Sequence, residues 1–337
     1  MARQRVTQLD VAKRAGVSYQ TVSRVINNHP NVAPATRARV EQAIRELGYQ
    51  PNAIARGLAS SRTRTLGLIT ADFSDFFFTQ VIIGAEQEAR RAGYFIMLGS
   101  TEKNMSEEPE YIRLFSQYCV DGFLFARPST EADSRHLLQL IRSGIPLVTT
   151  AYYLPGEPMN VVDINNIEGG YQATRHLIEL GHRRIAHITG PLNWRSANDR
   201  WTGYRRALGE AGLAYDQALV ASGDWSLRSG YEAAQALLAR GRRFTALFSG
   251  NDQMAIGAMR AFREAGLRIP EDVAIVGYDG IPMSEYTSPP LSTMVQPMQK
   301  VGQLAAKILI DHIEHPGQPP IELLLDATLV CRGTCGH

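Results

Sequence analysis

Residues 7–30, TQLDVAKRAGVSYQTVSRVINNHP, decide how the rest of the chain is read. Thr7 and Asp10 stand three apart, the spacing of a reciprocal helix cap, and Leu9, Val11, Ala12 and Ala15 supply the apolar side of a short first helix. Gly16 breaks that helix, because glycine accepts the left-handed backbone of a tight turn. Ser18 can cap a second helix whose Val22, Val25 and Ile26 fall on one buried face. Its other face is polar, with Tyr19, Gln20, Ser23, Arg24 and Asn27. The pattern predicts a helix-turn-helix. In such a unit the start of the second helix enters the DNA major groove, where Arg matches guanine O6 and N7 and Gln matches adenine N6 and N7. Tyr19, Gln20 and Arg24 are therefore base-reading candidates. Thr7, Thr21, Ser23 and Asn27 are better placed against phosphates, which set register without reading sequence. An ordinary amphipathic hairpin with a solvated polar face would carry the same short pattern.

Moving outward, Pro34 opens a third helix with Val40, Ala43, Ile44 and Leu47 on one face and Gly48 as its stop. Ala33 stands at its cap position, so that start is weak. Residues 49–64, YQPNAIARGLASSRTR, form a linker in which Asn52 can cap a short helix over 53–58. A helix of that length is unstable alone, and Gly57 costs it roughly 1 kcal/mol more. From Leu66 onward short apolar runs (TLGLIT, YFIMLGS, DGFLFA, IPLVTT, VVDIN, RRIAHITG, ALVAS, FTALFSGN, VAIVGYD) alternate with amphipathic helices. This is the pattern of parallel sheets covered by helices on both faces, and the strands are too many for one compact unit, so two lobes are expected.

Charge divides the same way. Residues 1–64 hold 11 Lys and Arg against 3 Asp and Glu, a balance of +8 that the rest of the chain, 24 against 30, largely cancels to the overall +2. The head is the part suited to a polyanion. Three cysteines cannot build a disulfide framework, and the start MARQRVTQ has no apolar run of the signal-peptide kind, so a reducing, cytoplasmic setting is expected. No stretch approaches the ~18 apolar residues of a membrane span, and no membrane partner is expected. Cys331, Cys335 and His337 form a CxxxC-x-H tail, three ligands where a structural zinc takes four, so neither a metal nor another cofactor is expected. Nucleotide-binding, nucleophile-elbow and zinc-protease motifs are absent, which argues against an enzyme.

VTQLDVAKRAGVSYQTVSRVINN followed by TRARVEQAIRELGYQPNAIARGLAS resembles the DNA-binding head of the lactose-repressor (LacI/GalR) family. The segments SGNDQMAIGAMRAFREAGLRIPEDVAIVGYDG and PPLSTMVQP resemble the same family's effector core. The resemblance implies an all-α helix-turn-helix head on an α/β body of two periplasmic-binding-protein-like lobes with parallel sheets. It places the head at 1–51, the hinge at 52–64 and the body at 65–337. Lobe one would take about 65–161 and 294–322, lobe two about 162–293 and 323–337. Asn52 and Leu58 fall in a hinge that becomes helical on operator DNA, where the residue matching Leu58 wedges into the minor groove.

Ligands of open α/β sheets bind at the carboxyl ends of strands, where Asp224 and Trp225, Asn251, and Asp279 gather. By resemblance Arg200, Asn251 and Asp279 match polar effector contacts and Trp225 an aromatic wall. Phe77 and Phe78 supply an apolar side, although the loop DFSDFFF departs from the family's commoner form. By the same resemblance Met298 stands where a lactose-repressor-like pocket would have an aromatic, and Ala151 where it would have an acidic residue, which puts galactoside specificity in doubt. Capping roles for Asn251 and Asp279, and a core role for Trp225, are the competing readings of the same residues. The implied function is a bacterial, cytoplasmic, sequence-specific transcriptional regulator, a repressor acting as a homodimer on operator double-stranded DNA. A small carbohydrate between the lobes would control it. A nucleobase-like corepressor is the alternative effector, and a sugar-modifying α/β enzyme the more distant alternative. The end at CRGTCGH lacks heptads, so a dimer rather than a zippered tetramer is expected.

Overall fold

The computed structural model describes residues 6–27, 29–50, 62–102, 104–127, 135–151, 154, 156–241 and 243–336. They fall into two units, Met1–Thr63 and Arg64–His337. The predicted hinge residues Asn52 and Leu58 lie outside the described residues.

The head contains helices α1 (Gln8–Ala15), α2 (Tyr19–Ile26) and α3 (Pro34–Leu47). Thr7 and Asp10 form the reciprocal box: the Asp10 N–H donates to the Thr7 hydroxyl at 3.3 Å and the Thr7 N–H to the Asp10 carboxylate at 2.9 Å. Those Thr7 hydrogen bonds hold the Asp10 carboxyl below its usual range. Gly16 takes the left-handed conformation, φ 64°, and Ser18 caps α2 by accepting from the Thr21 N–H at 3.2 Å. Ala33 makes no side-chain cap, as expected, and Pro34 starts α3 in its place. Val11, Ala12, Ala15, Val22, Val25, Val40, Ala43 and Tyr49 form the core of the head. Leu9 is not among them: it is 59% exposed. Two residues before Val11 lies about 200° around a helix, so Leu9 points away from the face that Val11 buries.

Among the described residues the body forms two six-stranded sheets. The first joins β1 (Thr65–Thr70), β2 (Phe95–Ser100), β3 (Gly122–Ala126), β4 (Leu147–Thr150), β5 (Asn160–Ile164) and β11 (Glu322–Leu325) in the order β11-β5-β4-β3-β1-β2. The second joins β6 (Ile185–Thr189), β7 (Val220–Ser222), β8 (Ala246–Ser249), β9 (Ala274–Asp279), β10 (Ser292–Val295) and β12 (Thr328–Val330) in the order β12-β10-β9-β8-β6-β7. Every pairing is parallel except β10 with β12.

Parallel strands covered on both faces read as continuous apolar runs, because successive side chains serve opposite cores. Leu124 and Val162 face a core built with α4 (Phe76–Arg91) and α11 (Met298–Glu314). Phe123, Phe125 and Val161 face a second core with α5 (Glu108–Gln117) and α6 (Arg135–Arg142). The other sheet divides likewise. Ala186 and Leu247 face α9 (Leu227–Ala239) and α10 (Asp252–Glu264), while Ile185 and Phe248 face α7 (Asn166–Glu179) and α8 (Arg195–Glu210).

The chain crosses between the sheets after β5, after β10 and between β11 and β12. The anticipated boundaries at 161/162, 293/294 and 322/323 each cut a strand and miss these crossings by two or three residues. In particular, residues 323–325 belong to the first sheet, and Met294 and Val295 to the second. Asn165 Nδ2 donates to Asp326 Oδ1 at 3.1 Å, tying two of the crossings together.

Candidate functional site

On the head, α2 exposes Tyr19, Gln20, Arg24 and, at its C-cap, Asn27, while Val22 and Val25 anchor its other side. Thr21 and Ser23 are half-buried at the margin of this face. The Thr21 hydroxyl lies 2.9 Å from that of Ser18. Thr7 already donates its hydroxyl hydrogen to Asp10 at 2.7 Å, so a phosphate would have to compete with the cap for it. The three base-reading candidates are thus all exposed on a capped helix, Tyr19 and Gln20 in its first turn and Arg24 in its last.

In the body, residues from both lobes line a cleft that opens to solvent, about 520 Å³ with the open solvent at its mouth included. Arg200, on α8, is the centre of its polar side and only 4% exposed. Its Nε donates to Asn166 Oδ1 at 2.9 Å and its Nη1 to the Gly250 carbonyl at 2.6 Å. Its guanidinium stacks 3.8 Å from the centre of the Tyr278 ring, and Asp279 Oδ1 lies 3.7 Å from Nη1. Helices α7 and α8 touch backbone to backbone beside it. A Cβ on Gly170 would stand 2.3 Å from the Arg200 carbonyl oxygen, and one on Gly203 2.1 Å from that of Ile167. Glycine at both positions is what lets the two helices come this near.

Two carboxyls face this cation. Asp279 ends β9 with φ 119° and accepts a 2.6 Å hydrogen bond from Gln296 Nε2. Burial pushes its carboxyl well up, against the opposing pull of Arg200. Asp163, at the end of β5, accepts from the Ile164 N–H at 2.7 Å, and burial pushes it up to about 7. The next acid, Asp252, is similarly raised by burial to about 7, but its oxygens accept from Gly280 and Ile281 N–H and from Thr293. Asp252 holds the β9 loop rather than facing the cleft.

Aromatic rings form the rest of the lining. Trp225 (φ 77°) packs its ring over Gly190, where a Cβ would come within 2.2 Å. Trp194 lies 5.8 Å from it at a 54° tilt. The buried Trp225 indole N–H has no acceptor among the described residues. From the first lobe come Phe77 and Phe78 of α4, edge to face at 5.1 Å, with Ala151 following β4 and Asp75 capping α4 through the Phe77 N–H.

Phe77, Phe78, Arg200, Trp225, Asn251 and Asp279 therefore line one cleft. Met298 does not: it is buried in the first-lobe core and borders a neighbouring groove with Gln296 and Gln299. As the first residue of α11 its side chain is drawn into the contact with α4. Asn251 combines the two readings proposed for it. It lines the cleft, yet Oδ1 caps α10 by accepting from the Met254 N–H and Nδ2 donates to the Trp225 carbonyl. Asp224 shapes the preceding loop by accepting from the Ser226 N–H. Asp163, Asn166, Trp194 and Ser196 also line the cleft and were not singled out from sequence. Their signal was the strand-end rule already applied to β7, β8 and β9, extended to β5 and β6.

A capped helix pair with a polar, exposed second helix, joined to a body of two parallel sheets with a charged and aromatic cleft, defines a class: a DNA-binding head on a binding-protein-like body. Residues 7–52 match the lacI family of bacterial regulatory proteins, and residues 174–335 match a periplasmic binding protein-like domain. The transcriptional regulator CelR of Thermobifida fusca is 39% identical, with 98% of each chain covered. Among solved structures, a CelR–cellobiose complex shares the fold with a TM-score of 0.74 and 37% identity, covering 98% of this chain and 100% of that one. A lac repressor dimer bound to operator and the anti-inducer ONPF gives a TM-score of 0.88 and 31% identity, covering 98% of this chain and 99% of that one.

The chain belongs to the lacI family of bacterial regulatory proteins. It is a DNA-binding transcriptional regulator, as its opening stretch implied, and the relatives it matches are regulators rather than enzymes. Among the described residues no helix is long and apolar enough to cross a membrane.

Proposed function

We propose that this regulator is a homodimeric repressor whose grip on a palindromic operator is set by a small carbohydrate held in the cleft. The observation that carries the reading is the pairing of Arg200, Asp279 and Asp163 with the tilted indoles of Trp194 and Trp225 in one cleft. Vicinal hydroxyls both donate and accept, which suits a guanidinium beside carboxyls, and the C–H face of a pyranose suits an indole. The effector is bound and released unchanged. Ala151 offers no side-chain acceptor after β4, so the acids on the first-lobe side of the cleft are Asp75 and Asp163.

In this reading the head spans 1–51, the hinge 52–64 and the body 65–337. Tyr19, Gln20 and Arg24 read bases; Thr7, Thr21, Ser23 and Asn27 hold phosphates; Asn52 and Leu58 act in the hinge. One helix-turn-helix reads one half-site, so a two-fold dimer is required for a palindrome. The CelR–cellobiose complex and the operator-bound lac repressor dimer support a sugar effector and a dimer here.

The test is a thermal-shift panel of mono- and disaccharides, cellobiose included, with free nucleobases beside them, because a ligand specific to the native state raises stability by mass action. A sugar should raise the melting temperature of the parent and not of Trp225→Ala. A panel in which only nucleobases act would overturn the carbohydrate reading.

A further inference from the structure

Proximity along the chain groups Cys331 and Cys335 with His337, which lies outside the described residues. The fold brings a different histidine to the two thiols. His176 sits in the last turn of α7, 155 residues before Cys331, and its Nε2 lies 3.6 Å from Cys331 Sγ. The imidazole nitrogen and the two sulfurs all lie within 4.8 Å of one another.

The 3.6 Å sulfur–nitrogen separation is the one that two ligands of a single metal take, and the other separations, none beyond 4.8 Å, need close by at most about 1 Å. With zinc–sulfur bonds of ~2.3 Å and zinc–nitrogen bonds of ~2.0–2.1 Å at tetrahedral angles, sulfur and nitrogen stand about 3.6 Å apart and two sulfurs about 3.8 Å apart. The positions are also held by contacts that do not involve the cysteines. Between them, the Ile275 N–H donates to the Thr334 carbonyl at 2.7 Å, and the Thr334 hydroxyl donates to the Ile275 carbonyl and accepts from the Ser292 N–H, each at 2.8 Å. Arg332 is fixed to the Leu291 carbonyl and the Ser284 hydroxyl. Cys335 is 1% exposed in the core that also holds Ala173 and Leu177 of α7. A chelate here would need little ordering of the chain, so the affinity of the ligands is not spent on closing the site.

We infer that His176, Cys331 and Cys335 form a transition-metal site in the second lobe, suited to a soft or borderline cation such as Zn2+. Two thiolates and an imidazole select against Mg2+ and Ca2+, which take oxygen ligands. Cys331 is exposed, so the fourth coordination position opens to solvent, where water completes the tetrahedron. The cation clamps the end of the chain to α7, the helix whose first turn supplies Asn166 to the cleft.

The full-length protein, reduced with a phosphine and kept anaerobic, is titrated with Co2+ and then Zn2+. One Co2+ per chain should bind, giving a sulfur-to-cobalt charge-transfer band and the strong visible bands of tetrahedral cobalt, both abolished when Zn2+ displaces it. Zn2+ should raise the melting temperature and a chelator should reverse the rise. His176→Ala, at a half-buried position, and Cys331→Ser, at an exposed one, should lose the cobalt spectrum, and Cys119→Ser should keep it. Cys335→Ala, which adds no polar group to the core, should keep the metal-free circular dichroism spectrum and lose binding. The inference is overturned if the reduced parent takes up no Co2+. It is equally overturned if His176→Ala binds as the parent does while His337→Ala does not.

Discussion

Asp279→Asn separates binding from folding more cleanly than any other change in the cleft. Residue 279 has φ 119°, where Ala would be strained, while Asn is among the few residues that tolerate positive φ. The amide oxygen can still accept the 2.6 Å bond from Gln296. Arg200 keeps its shorter bonds to Asn166 and Gly250 and its stacking on Tyr278. What disappears is a buried carboxyl that burial has pushed up, so the variant should melt within a few degrees of the parent, or above it. The Arg200 guanidinium and a donating sugar hydroxyl both favour the ionised carboxyl, and a hydrogen bond to that form contributes ~1.5 to 3 kcal/mol, so its loss weakens the effector about 10- to 150-fold. The residues proposed to read DNA belong to the other unit and are untouched, so operator affinity without effector should stay within a few fold. The assays are calorimetric titration with the sugar that shifts the parent in the thermal panel, and operator binding by fluorescence anisotropy with and without it. At the concentration that half-saturates the parent the variant should not respond, and at a hundredfold more it should. An unchanged sugar affinity would remove Asp279 from the site, and a tenfold shift in operator affinity without sugar would contradict the separation of head from cleft.

Gly170→Ala places a methyl 2.3 Å from the Arg200 carbonyl oxygen, so α8 must shift. Overpacking of this kind costs about 1 to 3 kcal/mol and should weaken the effector as well, which denaturant melts and calorimetry will show; a variant unaltered in both would mean the helices are not in contact there. Asp163 has a folded value of about 7 against an ordinary 3.8, so the native state holds the extra proton between those values and loses stability as pH rises through that window. Asp163→Asn should flatten the slope and stabilise the protein above pH 7, by at most about 4 kcal/mol, and an unchanged pH profile of melting would refute the assignment. Arg24→Ala should cost about 1 to 3 kcal/mol on the operator and relax preference at one guanine per half-site. Equal losses on operator and random DNA would make Arg24 a phosphate contact instead.

The head was legible because its determinants are local. Thr7, Asp10, Gly16 and Ser18 each act within four residues, and all four do in the structure what their spacing implies. Leu9 was misplaced only because its apolar character was weighed ahead of its angular position on α1. In the body the apolar runs identified most strands, since burial on both faces leaves little else that such runs can be. The division of strands between sheets was less visible. The run ELLLDATLV reads as one strand, yet Asp326 and Ala327 interrupt it and its halves join different sheets, β11 beside β5 and β12 beside β10. Nothing within the run encodes that division, because the partners lie 30 to 160 residues away. His176 is the same kind of miss: its two cysteines are far along the chain.

The cleft residues were harder still, for a reason built into parallel sheets. Helices begin just beyond the carboxyl ends of strands, where ligands also bind, so a polar residue there can serve a helix start, a ligand or both. Asp75 caps α4, Asn165 caps α7 beside cleft-lining Asn166, Trp194 occupies the cap position of α8, and Asn251 caps α10. A cap replaced by Ala loses about 1 kcal/mol whether or not any ligand binds. Removing Asn251 would also release the Trp225 carbonyl, so a lost response in that variant could not be assigned to effector contact. Asp279, 3.7 Å from the Arg200 guanidinium, caps no helix, and Trp225 contributes a ring rather than a cap. Those two positions, rather than the residue with the most hydrogen bonds, carry the information about what the cleft binds.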